Sequence, residues 1–147
     1  MPVFKGTMNI TPHECYLALM EQSVAEIKRK TGKDVTIEEL EKGYKYKTKR
    51  KVGKDIKEAS VSYSKPVVDR RITVHYMLEN ESYEMNYDIK KLAEDKVELT
   101  YSQLKKDEKP LSFLGKFIFE KKVKKWLRLI EKEMISRRNS MEKAGKS

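Results

Sequence analysis

Apolar and polar residues alternate with a period of two through the middle of the chain, from residue 44 to residue 103. This period is typical of strands that bury one face. Polar, Gly or Pro-containing stretches interrupt it at 53–55, 65–66, 79–82 and 93–96. The pattern therefore predicts a meander of about five antiparallel strands, with one apolar face and one face in contact with water.

A helix and a short strand are predicted before this meander. Residues 3–10 alternate mildly and predict a first strand. Thr11, Pro12 and Glu14 form a capping box with proline in the first turn, which predicts that a helix begins here. Gly32 is the expected end of that helix. Its apolar positions follow at helical spacing and predict one buried face: Leu17, Met20, Val24 and Ile27.

Two further helices are predicted from the same kinds of signal. Residues 36–40 repeat the capping pattern and predict one or two helical turns, although an extended segment is the alternative. Residues 111–140 predict one long C-terminal helix. Its apolar stripe consists of Phe119, Val123, Trp126 or Leu127, Ile130 and Met134. Because the sheet must cover its apolar face, we expect this helix to pack on it.

The order of these elements resembles the α+β helix-grip fold, also called START-like or SRPBCC-type. Residues 10–12, 31–33 and 38–44 and the lysine cluster before Trp126 carry a more detailed resemblance. In these pieces the chain resembles a family of uncharacterised cytoplasmic proteins from low-GC Gram-positive bacteria. The resemblance implies a curved antiparallel sheet of about six strands on a long C-terminal helix, with a cavity that can open between them. It implies no catalytic residues, because that family has no established activity.

The length of 147 residues predicts a single domain, 1–147, with an ordered core of about 3–140. There is one cysteine, and no apolar run approaches the roughly 18 residues of a membrane span. The start of the chain lacks the pattern of a signal peptide. We therefore expect a cytoplasmic protein without a membrane span.

Tyrosines are concentrated on the predicted inward face of the sheet. A buried tyrosine needs a partner for its hydroxyl, so several in one interior favour a cavity with a polar lining. The alternative is that tyrosine simply favours strands and reaches the rim with its hydroxyl. The predicted ligand-binding residues are Tyr46, Tyr63, Tyr76, Tyr87 and Tyr101, with Phe117, Trp126 and Ile130 as the apolar wall.

The net charge of +10 is concentrated in two segments. Residues 44–57 carry seven Lys or Arg against one Asp, and residues 111–147 carry eleven against four acidic residues. Basic residues in 45–57 and 116–138 are therefore candidates for binding nucleic acid or an anionic surface.

Nucleic acid is not favoured, because the tyrosines alternate onto the face opposite the lysines and bases could not stack on them. Lysines on an edge strand also protect against aggregation. The candidate anion-binding residues are Lys45, Lys47, Lys49, Lys121, Lys124, Lys125 and Arg128.

Catalytic and metal-binding signatures are weak. The single Cys15 and the two histidines are far apart in sequence and form no metal-spacing motif. His13 is expected to be exposed without a supporting neighbour, and His75 to face solvent. A nucleophilic pair of Cys15 with a histidine would depend entirely on the fold. We therefore expect a non-catalytic protein without metal or cofactor.

Three functional hypotheses follow. The leading one is a cytoplasmic binding module for a small apolar or amphipathic ligand, held between the sheet and the C-terminal helix. The second is binding of nucleic acid or an anionic surface through the basic segments. The third is an accessory or regulatory protein that acts through a protein partner. The run 111–119, apolar nearly all round, suits a cavity mouth, a dimer contact or a membrane surface, or simple packing beneath the strand connections.

Overall fold

A computed structural model describes the backbone of residues 3–78, 81–105 and 113–145. Side chains are described over the same ranges except at 50, 52, 104–105, 113–120 and 142–145. The elements, in chain order, are β1 (Val3–Met8), α1 (Pro12–Thr31), α2 (Ile37–Glu41), β2 (Tyr44–Val52), β3 (Asp55–Tyr63), β4 (Arg71–Leu78), β5 (Glu81–Ala93), β6 (Lys96–Lys105) and α3 (Phe113–Gly145). The single-domain interpretation of 1–147 stays a prediction.

The strands form one antiparallel, curved sheet in the order β1-β6-β5-β4-β3-β2. The meander predicted from the alternation is therefore confirmed, and β1 completes it by pairing with β6. The first strand ends at Met8, two residues earlier than predicted, because residues 9–10 bend into α1. The amide of Asn9 donates to the Glu131 carboxylate of α3 at 2.6 Å, and Ile10 is fully buried.

The start of α1 has the predicted capping box. The Glu14 amide donates to the Thr11 hydroxyl at 3.1 Å, and the Thr11 amide donates to the Glu14 carboxylate at 2.8 Å. Gly32 ends the helix with φ of 76°. The segment 37–41 is helical rather than extended. Its N-cap, Thr36, accepts from the amide of Glu39 at 3.1 Å.

The buried face of α1 is wider than the predicted stripe. Met20 and Ile27 are buried as expected, but Leu17 and Val24 are only half-buried. Four residues outside the stripe are buried: Cys15, Tyr16, Ala18 and Leu19. The reason is that α1 contacts both the sheet and α3, so more than one side of it is excluded from water.

Helix α3 packs against β1 and α1. Leu127 is buried, as are the predicted stripe residues Val123, Ile130 and Met134. The close approach to β1 is possible because residue 6 is glycine. A Cβ at Gly6 would stand 2.4 Å from Cδ1 of Leu127, too close for two carbon atoms. Two ion pairs join α3 to α1: Arg138 with Glu14 at 2.5 Å, and Arg137 with Glu21 at 2.8 Å. The predicted apolar run 111–119 lies outside the described side chains.

Candidate ligand-binding cleft

A cleft of about 790 Å³ opens between the inward face of the sheet and helix α1. Tyr87 on β5 and Trp126 on α3 both line it. The lining residues come from α1, from β2 to β6 and from α3: Leu19, Gln22, Ser23, Glu26, Lys30, Tyr46, Thr48, Lys49, Val61, Tyr63, Val74, Tyr76, Tyr83, Met85, Tyr87, Gln103 and Trp126.

Strand alternation and register place the aromatic residues of the cleft. Tyr46 pairs with Val61 and Val61 with Tyr76, so three neighbouring strands present these side chains on the same face. In the same way, Tyr63 pairs with Val74 and Val74 with Met85. The sequence pattern folds into this surface because successive residues of a strand point to opposite faces.

The rings form an aromatic wall in which two groups of rings are in contact. Tyr87 contacts Tyr101 with ring centroids 5.1 Å apart, and it contacts Trp126 edge-on at 6.1 Å. Tyr76 meets Tyr83 edge-on at 5.8 Å. Tilted and edge-to-face arrangements are the favourable ones for aromatic pairs. The wall is therefore held in place by its own contacts and by the strands that carry it.

Hydrogen bonds fix two polar groups beside this wall. The Trp126 indole N–H donates to Oε1 of Gln22 at 2.7 Å, which joins α3 to α1 across the cleft. The Tyr101 hydroxyl donates to Oε1 of Gln103 at 3.3 Å. The orientation of the Trp126 ring is thus set by a partner on another helix.

Burial favours the neutral form of three cleft tyrosines, Tyr46, Tyr63 and Tyr87. Burial raises the pKa of Tyr87, and neighbouring Tyr101 and Tyr63 raise it further. Burial also raises the pKa of Tyr46, with smaller contributions from other tyrosines and from the Glu26 carboxylate. For Tyr63, burial raises the pKa more than the hydrogen bond to Ser23 lowers it. The hydroxyls can therefore donate hydrogen bonds to a ligand, but they do not act as bases.

Most of the predicted ligand-binding residues meet at the cleft. Tyr46, Tyr63, Tyr76, Tyr87 and Trp126 all line it. Tyr101 lies behind Tyr87, in contact with its ring, and Ile130 is buried in the core beneath α3. The side chain of Phe117 lies outside the described residues. That these residues bind a ligand stays a prediction.

Helix α1 supplies a wall of the cleft that the sequence interpretation missed. Gln22, Ser23, Glu26 and Lys30 lie along one side of α1, next to its buried face. Their spacing of three and four residues is the signal that could have indicated a shared surface. On sequence alone, a polar face of a helix is indistinguishable from a solvated one.

The two basic segments lie at opposite edges of the sheet. Lys45, Lys47 and Lys49 are exposed on β2, the strand at one end of the sheet order. The α3 residues are exposed too, and Lys124 and Arg128 lie beside β1, at the other end. The remaining candidates, Lys121 and Lys125, are exposed on α3. The structure thus does not bring the segments together in one patch, and anion binding by either stays a prediction.

The remaining candidates for chemistry lie outside the cleft lining. His13 is exposed, as expected, but it is supported: its Nδ1 lies 2.9 Å from Oδ1 of Asp69. The neighbour was not foreseen because Asp69 lies on a distant turn with φ of 64°. Cys15 is fully buried and unpaired.

Within the described ranges, no three His, Cys, Asp or Glu residues are grouped to hold a metal ion. The helices described are all too short or too polar to cross a bilayer.

The fold and the cleft together define a helix-grip protein with an aromatic interior. The chain belongs to the family described as Domain of unknown function (DUF3284), which matches residues 1–123. The sequence matches no protein of curated function.

Three solved structures are similar in fold. Ara h 8.0201 is 9% identical, with 91% of this chain and 96% of that chain covered and a TM-score of 0.53. The protein TTHA0849 from Thermus thermophilus is 9% identical, with coverages of 92% and 97% and a TM-score of 0.50. The Zhui aromatase/cyclase from a Streptomyces species is 9% identical, with coverages of 92% and 93% and a TM-score of 0.50. At these identities the likeness shows the α+β helix-grip fold, which confirms the predicted fold class.

Proposed function

We propose that this protein is a non-catalytic binding module that holds a small apolar or amphipathic molecule in the aromatic cleft. The observation that carries the proposal is the cleft of about 790 Å³, lined by five tyrosines and Trp126. Small-molecule sites typically measure about 300 to 1,000 Å³ and combine aromatic walls with a few polar groups. The helix-grip fold commonly binds hydrophobic ligands, which supports the proposed ligand-binding function.

The chemistry of the lining suits an amphipathic ligand. Ring faces of Tyr87 and Trp126 offer apolar contact, and neutral hydroxyls such as that of Tyr63 offer directed hydrogen bonds. A ligand that lies against these rings removes apolar surface from water, which is the main source of its affinity. The hydroxyls then favour ligands with matching polar groups.

The absence of a catalytic role is part of the proposal. The ionisable groups of the lining are Glu26, Lys30, Lys49 and five tyrosines. Burial raises the pKa of Tyr46, Tyr63 and Tyr87. Glu26 pairs with Arg29, and burial raises the pKa of Cys15 to about 12, which makes its thiol a poor nucleophile. None of these described groups forms a nucleophile with an adjacent base. We also propose a cytoplasmic location and a low-GC Gram-positive bacterial family, as the sequence resemblance implies.

A fluorescent apolar probe tests the binding function. N-phenyl-naphthylamine is uncharged and brightens in apolar surroundings, and Trp126 is the single tryptophan of the chain. We expect saturable binding of one probe per chain, quenching of Trp126 emission, and a higher melting temperature with bound probe. An absence of saturable binding would overturn the proposal.

A matched pair of variants locates the probe. Tyr46 and Tyr44 lie on the same face of β2 and both are half-buried, but only Tyr46 is among the lining residues. We expect Tyr46→Ala to weaken probe binding by about tenfold, as for loss of one aromatic contact. Tyr44→Ala should change it by less than about twofold. Equal weakening by both variants would place the probe outside the cleft.

A further inference from the structure

The wall of the cleft formed by α1 changes in polarity along the helix. Leu19 is buried, Ser23 and Glu26 follow, and Lys30 is the last lining residue of the helix. Steps of three and four residues keep these side chains on one face. A rise of about 1.5 Å per residue places Lys30 roughly 16 Å from Leu19. The cleft therefore has an apolar end and a cationic end.

Strand β2 follows the same direction as α1 along the cleft. Ser23 lies beside the hydroxyl of Tyr63, and Tyr63 pairs with Tyr44 in the β2–β3 ladder. About one turn later, the Glu26 carboxylate is close enough to act electrostatically on Tyr46 as well as Tyr63. The two elements therefore run in the same direction along the cleft. Later residues of α1 lie beside later residues of β2, from residue 44 to residue 46 and onward.

The next turn of α1 brings Lys30 towards Thr48 and Lys49, which also line the cleft. Lys49 points to the outer face of the sheet by alternation. It can still border the cleft because β2 is the terminal strand and a long side chain reaches around its edge. We call Lys30 and Lys49 the rim lysines.

The carboxylates near the rim lysines have other partners. Glu26 forms an ion pair with Arg29. Glu58 faces Lys49 across the β2–β3 ladder, but its carboxylate pairs with Lys47 at 3.4 Å. Within the part of the chain that the structure describes, the rim lysines form no ion pair. The rim lysines thus border one end of an aromatic cleft and have no described anionic partner.

We infer that the ligand of the cleft is an amphipathic organic anion. Its ring or chain lies against the tyrosines, and its carboxylate, sulfate or similar group contacts the rim lysines. Charge-assisted hydrogen bonds from ammonium to such oxygens are stronger than those between neutral groups. An uncharged apolar ligand would fill the aromatic end and leave this cationic end unused. The inference rests on the proposed binding function and specifies the ligand class.

Two probes that differ by one anionic group test the inference. Anilinonaphthalene sulfonate has the same aromatic body as N-phenyl-naphthylamine and carries an added sulfonate. The double variant Lys30→Met/Lys49→Met removes the rim lysines. The control Lys33→Met/Lys45→Met removes two exposed lysines from the same regions, outside the cleft lining, with the same loss of net charge. Melting temperatures of both variants verify that they fold.

We expect wild-type protein to bind the sulfonate more tightly than the neutral probe, with the difference reduced by salt. The rim variant should weaken sulfonate binding by about threefold or more, as for two exposed ion pairs, and change neutral binding by less than about twofold. The control should leave both affinities within about twofold.

The outcomes separate the two proposals. If neither probe binds, the binding function itself fails. If the neutral probe binds but the sulfonate gains nothing from the rim lysines, the binding function stands and the anionic ligand is wrong. Equal loss of sulfonate affinity in the rim variant and the control would also overturn the inference, because net charge alone would explain it.

Discussion

Cys15 illustrates how burial controls the reactivity of a single residue. It lies in the first turn of α1 and is fully buried, and burial raises its pKa to about 12. Thiols attack disulfides as thiolates, so the native protein should react with Ellman's reagent only as fast as it opens. We expect one thiol to react promptly in urea and very slowly without it. A control variant, Cys15→Ala/Ser82→Cys, carries its thiol at an exposed position and should react at once. Rapid reaction of the folded wild type would contradict this.

Single-residue predictions succeeded where a periodic pattern decides which face a side chain occupies. Tyr46, Tyr63 and Tyr76 lie inward because strand alternation leaves only two faces, and one of them is apolar. The sequence left Trp126 and Leu127 as alternatives for one stripe position of α3. Adjacent helical residues differ in direction by about 100°, so both could border a buried stripe. In the structure, Leu127 enters the core and Trp126 faces the cleft.

At the level of elements, Glu14 links the start of α1 to the end of α3. Burial acts to raise the pKa of Glu14, but hydrogen bonds from Arg138 and Thr11 outweigh it and hold this pKa below its ordinary value of 4.5. A depressed pKa means that the folded state favours the carboxylate. The resulting stability is fully present above the unfolded pKa and is lost as pH falls through the folded pKa.

Glu14→Gln should therefore lower the free energy of unfolding at neutral pH by about 1 kcal/mol, through loss of the charged cap and of the pair with Arg138. The difference from wild type should shrink as the pH falls below the ordinary pKa of 4.5, measured by urea unfolding across the acid range. Glu21→Gln is the control, because Glu21 joins the same two helices through Arg137 but is more exposed. It should cost a few tenths of a kcal/mol. A cost for Glu14→Gln that is constant with pH would show that the charge is not its source.

The ends of elements were predicted best where a local signal fixes them. The capping box sets the start of α1, and Gly32 sets its end. Strand β5 extends beyond the predicted alternation because pairing with β6 continues there, although residues 90–96 are exposed. Exposed strand residues need not alternate in polarity, so the sequence carries no signal for that extension.

At the scale of the whole molecule, the position of the cleft depends on contacts between distant segments. Helix α3 approaches β1 closely at Gly6, at one edge of the sheet. The cleft lies instead over β2 to β6, where α1 supplies most of the helical wall and Trp126 is the α3 residue in the described lining. The sequence predicted a cavity between the sheet and the C-terminal helix. The cleft does have the sheet as one wall, but the prediction left out α1 as the main helical wall. The position of α1 relative to the sheet follows from tertiary packing, which residue periodicity does not encode.

The same sheet order makes a prediction about self-association. Strand β2 ends the sheet, and exposed Lys45, Lys47 and Lys49 alternate along it. Charged residues on a terminal strand oppose its pairing with a strand of another molecule. We expect Lys45→Val/Lys47→Val to associate with increasing concentration, as measured by light scattering. Valine favours strands and removes the repulsion.

The control for this prediction is Lys121→Val/Lys125→Val, which makes the same change in charge and hydrophobicity at exposed positions of α3. It should remain at the molecular mass of the wild type, because a helix presents no unpaired strand edge. Equal association of both variants would mean that the net charge of +10 keeps the molecules apart. Association of the β2 variant alone would mean that these lysines protect the sheet edge, and their charge would then require no nucleic-acid partner. If the β2 variant also kept the wild-type mass, the lysines would have no protective role, and anion binding at β2 would become the stronger explanation for them.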